Sequence, residues 1–235
     1  HDLKPKQLEK LRWNTMPIRD THGYYAGVSY QFYLEAGTRV ISFVGDREPV
    51  LIESIHFLQE EPVRSYQDVL VDHQENMVPV IGQAALGEDG YIKVQGENAY
   101  EKSSPILSPV ANWSSYLVDP YVKFLTRYNT IGGTTWRVAG DWISWEVDVP
   151  QTGLYELTFK VLQNYDRGMY STRILYINGE VPFEEARNIQ FGYNNDWQNV
   201  TLGNDDGAYL FYLEAGKQVI TLEATIGVYR DIVSR

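Results

Sequence analysis

The chain has 235 residues, 43% of them hydrophobic and 22% charged. That excludes disorder as a description of the whole and leaves room for one large domain or two small ones. The net charge of −11 is spread evenly, with 8 Lys+Arg against 14 Asp+Glu in residues 1–90 and 12 against 17 in the rest. An acidic chain of this kind argues against nucleic acid or an anionic membrane as partner. The absence of cysteine excludes disulfides, thiolate catalysis and Cys-ligated metal. No apolar run reaches the ~18 residues of a membrane span, and the opening His1-Asp2-Leu3-Lys4 carries no signal-peptide core.

In chain order, residues 6–11 are expected to make one or two helical turns. Apolar runs then predict strands over 30–34, 39–44 and 51–58. After Pro62, Ser65 at an N-cap with Asp68 three residues on predicts a short helix over 65–74. Residues 77–89, with Pro79, Gly82 and Gly87, read as a linker. Further strands are expected over 91–95 and 122–127. Over 142–149, Ile143, Trp145, Val147 and Val149 alternate with Trp142, Ser144, Glu146 and Asp148. The turn Pro150-Gln151-Thr152-Gly153 leads into a second alternation, Tyr155, Leu157, Phe159 and Val161, giving an antiparallel hairpin with one buried face. Asn178-Gly179, between 174–177 and 181–183, is a two-residue hairpin turn whose central residues need φ > 0. Strands over 198–202, 210–213 and 218–224 complete the set. Short strands at this spacing predict an all-β chain forming an antiparallel β-sandwich, or jelly roll. Ile143, Trp145, Val147, Tyr155, Leu157, Phe159, Ile220 and Leu222 should face its interior.

The chain also repeats itself. Phe32-Tyr33-Leu34-Glu35-Ala36-Gly37 recurs letter for letter as Phe211-Tyr212-Leu213-Glu214-Ala215-Gly216. Both copies continue in step, Arg39-Val40-Ile41-Ser42-Phe43 against Gln218-Val219-Ile220-Thr221-Leu222, and Trp13 with Gly23 precedes one as Trp197 with Gly207 precedes the other. Residues 1–62 therefore read as the C-terminal half of a β-sandwich module, and 63–89 as a linker with a short helix. Residues 90–228 read as a nearly complete related module, and 229–235 as the start of a following segment. Three or four strands with an open edge are marginal alone. Residues 1–62 are accordingly expected to pack against 90–235 or to pair with another chain, with Trp13 and the Phe32-Tyr33-Leu34 strand as the buried contacts.

Chemistry-bearing patterns are few. His1, His22, His56 and His73 form no metal-ligand spacing. Asn204-Asp205-Asp206-Gly207 lacks the alternation and distal Glu of a calcium loop and reads as a turn. No nucleophile elbow, triad context or phosphate-cradling glycine motif occurs. Paired carboxylates for glycoside hydrolysis have no sequence spacing of their own, and Glu146, Asp148, Glu156 and Glu223 are expected on solvated strand faces. The stronger signal is aromatic, with 18 Tyr, 6 Trp and 8 Phe. Trp113, Tyr116, Tyr121, Trp136, Tyr165, Tyr170 and Tyr193 fall in predicted loops, and Trp197 lies where a loop enters a strand. Loop aromatics on a rigid sandwich offer flat platforms on which the C–H face of a sugar stacks, with polar groups at the rim for its hydroxyls. The loop Gln163-Asn164-Tyr165-Asp166-Arg167-Gly168-Met169-Tyr170 supplies both, through Asn164, Tyr165, Arg167 and Tyr170.

Several of these stretches resemble a known family. Tyr91-Ile92-Lys93-Val94-Gln95-Gly96-Glu97-Asn98-Ala99 is similar to the opening Glu-Ala-Glu-Asn-Ala strand of carbohydrate-binding modules of families 6 and 35. Gly140-Asp141-Trp142-Ile143, Val147-Asp148-Val149-Pro150 and Gly153-Leu154-Tyr155 resemble their Gly-Asp-Trp, Val-x-Val-Pro and Gly-x-Tyr succession, and Leu213-Glu214-Ala215-Gly216 their late Leu-x-Ala-Gly turn. The wider pattern, Thr130-Ile131-Gly132-Gly133 with Ser171-Thr172-Arg173-Ile174 and Asp196-Trp197, resembles modules within large extracellular solute-binding proteins of Gram-positive sugar ABC transporters. The resemblance spans residues 90–224. It implies a galactose-binding-like jelly roll, an extracellular or cell-surface location, and a sugar held between two loop aromatics matched by Trp136 and Trp197. No cofactor is implied beyond a structural calcium, for which Glu97 is the retained acid. Gln95 replaces one family ligand, and a last-strand acid occurs only as Glu53.

Three functions compete on this reading. The first is non-catalytic binding of polysaccharide or oligosaccharide, as part of a sugar-uptake or cell-surface protein, without nucleic acid or membrane insertion. The second is a structural or interaction spacer without a sugar site. The third is a glycan hydrolase or lyase.

Overall fold

The computed structural model describes residues 6–11, 13, 15, 17–19, 29–45, 49–59, 62–121, 127–165 and 167–227. Its elements in chain order are α1 (Tyr66–Glu75), β1 (Glu101–Lys102), β2 (Pro109–Val110), β3 (Thr130–Ile131), β4 (Trp142–Val149), β5 (Gly153–Glu156) and β6 (Thr158–Val161). They continue as β7 (Tyr170–Ile177), β8 (Ile189–Gly192), β9 (Gln198–Thr201), β10 (Gly203–Asn204), β11 (Gly207–Ala208), β12 (Leu210–Leu213) and β13 (Gly216–Thr225). The strand expected over 122–127 lies outside the described residues except for Arg127, as does the segment 229–235.

The period-two run over 142–149 forms β4 with the expected bounds, because inward Ile143, Val147 and Val149 all have core to meet. It joins a five-stranded antiparallel sheet, β1-β4-β13-β7-β8, with β13 in the middle. The second layer is built from the pairs β12–β5 and β6–β9. Only Leu157 separates β5 from β6, and its carbonyl still accepts a hydrogen bond from Leu202 N at 2.9 Å. Between the layers Val147, Val149, Leu175, Ile220 and Leu222 meet Tyr155, Leu202, Phe211 and Leu213. The expected interior residues Ile143, Val147, Tyr155, Ile220 and Leu222 are buried, and Trp145, Leu157 and Phe159 are half-buried against the same core. The chain is all-β in architecture, an antiparallel sandwich.

The corner chemistry holds where it is local. Asn178 (φ 53°) and Gly179 (φ 90°) take the left-handed conformations that their turn demands. The strand expected over 181–183 does not follow. Pro182 has no N–H to donate, and Phe183, 1% exposed, turns inward at the start of a 3₁₀ turn, Glu184–Asn188. The chain returns instead as β8, pairing Tyr170 with Gly192.

Helix α1 starts as its capping residues require. Ser65 Oγ accepts from Asp68 N at 3.2 Å and donates to the Asp68 carboxylate at 2.7 Å. The Tyr66 ring then packs 5.0 Å from Phe183 and 4.6 Å from Tyr209, and its hydroxyl accepts from Leu210 N at 3.1 Å. The stretch read as a linker is bound to the second layer. Leu154 N donates to Pro79 O at 2.8 Å, and Ile81 N to Leu154 O at 2.9 Å, a short parallel addition to β5. Gly153 permits this approach, since a Cβ there would lie 2.6 Å from Ile81 Cδ1.

Other expectations fail in the first third. Residues 6–11 form no helix, and 91–95 form no ladder: the side chains of Lys93 and Gln95 engage Asp119 instead. Residues 30–34, 39–44 and 51–58 are described without a strand ladder. Among the described residues their only backbone pairing is Tyr30 N with Ile18 O at 2.7 Å, beside a bridge of Arg19 with Ser29, so most of their apolar side chains stay in solvent. Trp13 is 65% exposed and Tyr33 90%, so neither makes the buried contact expected of it. The first third touches the sandwich through polar groups. Gln7 Nε2 donates to Pro105 O at 3.1 Å, Lys10 pairs with Glu101 at 3.0 Å, and Arg19 grips Glu223 with both terminal nitrogens at 2.8 and 3.0 Å.

That last contact corrects the solvated-face reading of Glu223, which is 5% exposed on β13. Arg19 covers it, and Tyr176 donates its hydroxyl to it at 3.2 Å. Burial, with the neighbouring Glu223 charge, pushes the Tyr176 phenol up to about 12. No helix among the described residues is long and apolar enough to cross a membrane.

Candidate functional site

Antiparallel pairing decides which loops meet. Tyr170 opens β7 opposite Gly192, Thr172 lies opposite Thr225 near the end of β13, and Trp142 opens β4 opposite Glu223. In the second layer Val161 closes β6 opposite Gln198, which opens β9. Two hydrogen bonds tie the layers here: Asn194 N to Gln163 O at 2.8 Å, and Gln198 Nε2 to Gly192 O at 3.0 Å. The loops 132–141, 162–169 and 193–197 therefore share one end of the sandwich.

The loop 162–169 is fixed from beneath. Buried Gln163 donates from Nε2 to Met169 O at 3.1 Å, and its Oε1 accepts from Tyr165 N at 3.0 Å, closing the loop on itself. Above that brace Asn164, Tyr165, Arg167 and Tyr170 are all exposed. The Tyr170 ring lies beside Gly192. In the adjoining loop Tyr193 donates to Asn195 Oδ1 at 2.7 Å, and Asp196 N donates to Asn194 Oδ1 at 3.0 Å. Of the six expected ligand contacts, three are thus exposed on the braced loop and a fourth, Tyr170, is exposed where β7 leaves it.

The two tryptophans differ from those four. Trp197 is half-buried, and its indole Nε1 is buried with no hydrogen-bond partner among the described residues. Trp136 closes a 3₁₀ turn and donates from Nε1 to Asp141 O at 3.0 Å. Its ring meets Trp145 at 6.4 Å and 64°. The Arg173 guanidinium lies 4.2 Å over the same ring, so a cation already covers one face of the indole. Gly132 (φ 100°) lets the backbone pass close, since a Cβ there would be 3.0 Å from Trp136 Cε3.

Arg173 was not visible as a site residue in the sequence. It is nine-tenths buried on β7 and donates to Ser171 Oγ at 3.0 Å, Thr172 O at 2.7 Å and Trp136 O at 3.1 Å. Burial alone lowers its guanidinium to about 10, and its Nε is unpaired among the described residues. A charge held by carbonyls and an indole is an expensive support, and it fixes the loop 132–141 to β7. The only sequence signal was a lone cation in the otherwise neutral run Ser171-Thr172-Arg173-Ile174-Leu175.

Glu97 offers one buried carboxylate oxygen without a partner among the described residues. Burial, assisted by the negative charge of Asp119, raises its carboxyl above the ordinary range. Asp119 itself is held low by Lys93. Calcium needs six to eight oxygen ligands, and no group of three or more His, Cys, Asp or Glu suited to a metal ion occurs among the described residues. Among the described residues the acids at this place are half-buried Glu97 and lysine-neutralised Asp119, two carboxylates where a calcium cage takes six to eight oxygens.

No family model matches the chain, and no curated protein matches it. Solved structures do. A family 35 carbohydrate-binding module from Clostridium thermocellum shows 16% identity over 57% of this chain and 85% of that one, with a TM-score of 0.37. A family 35 module from an environmental isolate gives 14% identity over 57% and 80%, with a TM-score of 0.36. A Paenibacillus cycloisomaltooligosaccharide glucanotransferase, complexed with cycloisomaltoheptaose, gives 22% identity and a TM-score of 0.39 over 56% of this chain. The match spans only 16% of that enzyme's length. These scores are too low to establish a common fold.

Proposed function

We propose that the loop end of the sandwich binds carbohydrate and performs no covalent chemistry. The observation that carries this is the braced loop 162–169, which leaves Asn164, Tyr165 and Arg167 exposed next to Tyr170, the exposed first residue of β7. Two phenol rings supply stacking surface for the C–H face of a sugar, while the amide and the guanidinium fork reach its hydroxyls. Because the loop is fixed before ligand arrives, little ordering cost opposes binding. In this reading Trp136 and Trp197 wall the site, with Trp136 held by Arg173, and the stacking falls to the tyrosines. The motif resemblance to families 6 and 35 supports the same ligand class and an extracellular or cell-surface setting within a sugar-uptake protein. The function needs neither calcium nor another cofactor.

Affinity-gel retardation against a panel of plant, algal and bacterial polysaccharides tests it. The parent protein should be retarded by at least one. Tyr165→Ala and Tyr170→Ala should each weaken that retention by about 1–3 kcal/mol. Melting temperature should hold for Tyr165→Ala, since that side chain is 71% exposed. No retardation on any glycan would favour the spacer reading, and release of reducing sugar would favour a hydrolase or lyase.

A further inference from the structure

We infer that residues 30–44 are a strand-donating surface, and that their partner is the body of another β-sandwich, left open where its last two core strands belong. The repeat supplies the reason. Tyr30, Phe32–Gly37, Val40 and Ile41 coincide with Tyr209, Phe211–Gly216, Val219 and Ile220, so the second copy shows what such a stretch does when it is paired. There β12 lies antiparallel to β5 in one layer, the chain turns at Gly216 (φ 105°), and β13 enters the other layer between β4 and β7. The side chains of Phe211, Leu213, Ile220 and Leu222 point inward and close the core.

The first copy keeps the shape without the partner. Gly37 takes φ 119°, the same left-handed corner, and Arg39 spans that corner to Glu35 at 2.7 Å. The inward positions are bare: Phe32 is 65% exposed where Phe211 is 0%, and Ile41 is 46% exposed where Ile220 is 6%. The outward positions Tyr33 and Val40 are each 90% exposed. Tyr30 N donates to Ile18 O at 2.7 Å, and beyond it 31–44 have no strand beside them among the described residues; a formed corner with one apolar inner face and open backbone edges invites strand addition.

The slot on this chain's own sandwich is filled by β12 and β13, and so is the same slot on any second copy. The fitting partner therefore lies on a different stretch of polypeptide, and the pairings of the repeat define its chemistry. Opposite 32–34 it presents a Gly-x-Tyr strand with its glycine facing Leu34, as Gly153 faces Leu213. Opposite 39–44 it presents apolar strands on both sides, with an aromatic facing Ile41 as Trp145 faces Ile220. In the second module one hairpin provides both partners, and its corner nests against the β12–β13 corner through Ala215 N to Thr152 Oγ1 at 2.9 Å.

A synthetic peptide of residues 142–156, carrying the β4 and β5 sequences, is therefore the probe. Hydrogen–deuterium exchange on the full chain should show amides of 31–34 and 39–44 exchanging freely alone and becoming protected, saturably, as peptide is added. A scrambled peptide should protect nothing, and Ile41→Asp, at an exposed position, should lose the protection without unfolding the sandwich. Absence of protection at saturating peptide would overturn the inference, as would protection changes confined to β12 and β13. Protection of 30–44 without peptide would also overturn it: in a monomer it would mean packing on the chain's own sandwich, and in a dimer, pairing with a second copy.

Discussion

The hexapeptide that occurs twice provides a paired experiment in which sequence context is constant and burial is not. Phe211→Ala removes a ring that is 0% exposed and lies 5.2 Å from Phe183 in the middle of the core. Truncating such a side chain forfeits its transfer energy and leaves a cavity, a loss of about 3–5 kcal/mol. At about 2–4 °C per kcal/mol for a domain of roughly this size, the melting temperature should fall by about 6–20 °C. Phe32→Ala makes the same chemical change at a ring that is 65% exposed, and exposed truncations of this kind stay within about 0.5 kcal/mol. Urea denaturation followed by tryptophan fluorescence reads both variants against the parent, with a second reading by calorimetry. Equal losses in the two variants would refute the assignment of one copy to the core and the other to solvent. A loss below about 1 kcal/mol for Phe211→Ala would refute the core itself.

Arg19→Ala should cost about 1–3 kcal/mol in the same assay, because it removes both charge-assisted hydrogen bonds from the Glu223 carboxylate and opens that group to water. Adding Glu223→Gln should recover most of that loss. His73 stacks on Tyr212 at 5.4 Å, and burial lowers its pKa against the opposing pull of Asp72. The unfolded chain then takes up the proton first as pH falls. This contribution to stability is present above the unfolded value of about 6.5 and is lost as pH falls through the lower folded value. Melting temperatures between pH 8 and pH 5 should show that decline in the parent and a shallower one in His73→Gln.

What could be read in the sequence was what is decided locally or by alternation on one buried face. β4, the Asn178-Gly179 turn and the Ser65 cap needed only neighbours within a few residues. β12 carried its evidence in the repeated hexapeptide. The strands over 30–34, 39–44 and 51–58 carry the same apolar pattern and still form no ladder, because a pattern records the capacity to pair, and pairing requires a partner. The parallel contact of Pro79 and Ile81 with Leu154 escaped notice because proline and glycine at 79–82 look like a turn and a two-bond addition has no period. β7 hid Arg173, since Thr172, Arg173, Ile174 and Leu175 are all buried and alternation cannot mark an inward cation on a strand covered on both faces. At the site, the loop composition placed Asn164, Tyr165, Arg167 and Tyr170 together, whereas the bracing of Trp136 depends on contacts between distant stretches of chain.

The passage from Arg64 to Leu86 also has a mechanical meaning. Arg64 O accepts from Glu184 N at 2.9 Å, Tyr66 N donates to Glu185 at 2.8 Å, and Pro79 and Ile81 clasp Leu154. A pull on Arg64 is therefore taken first by the Glu184–Asn188 turn, before it reaches α1 or β5. Once the bonds to Glu184 and Glu185 part, the pull reaches β5, where the two bonds of Pro79 and Ile81 to Leu154 share the load. A tether attached at two separate places transmits orientation as well as pull.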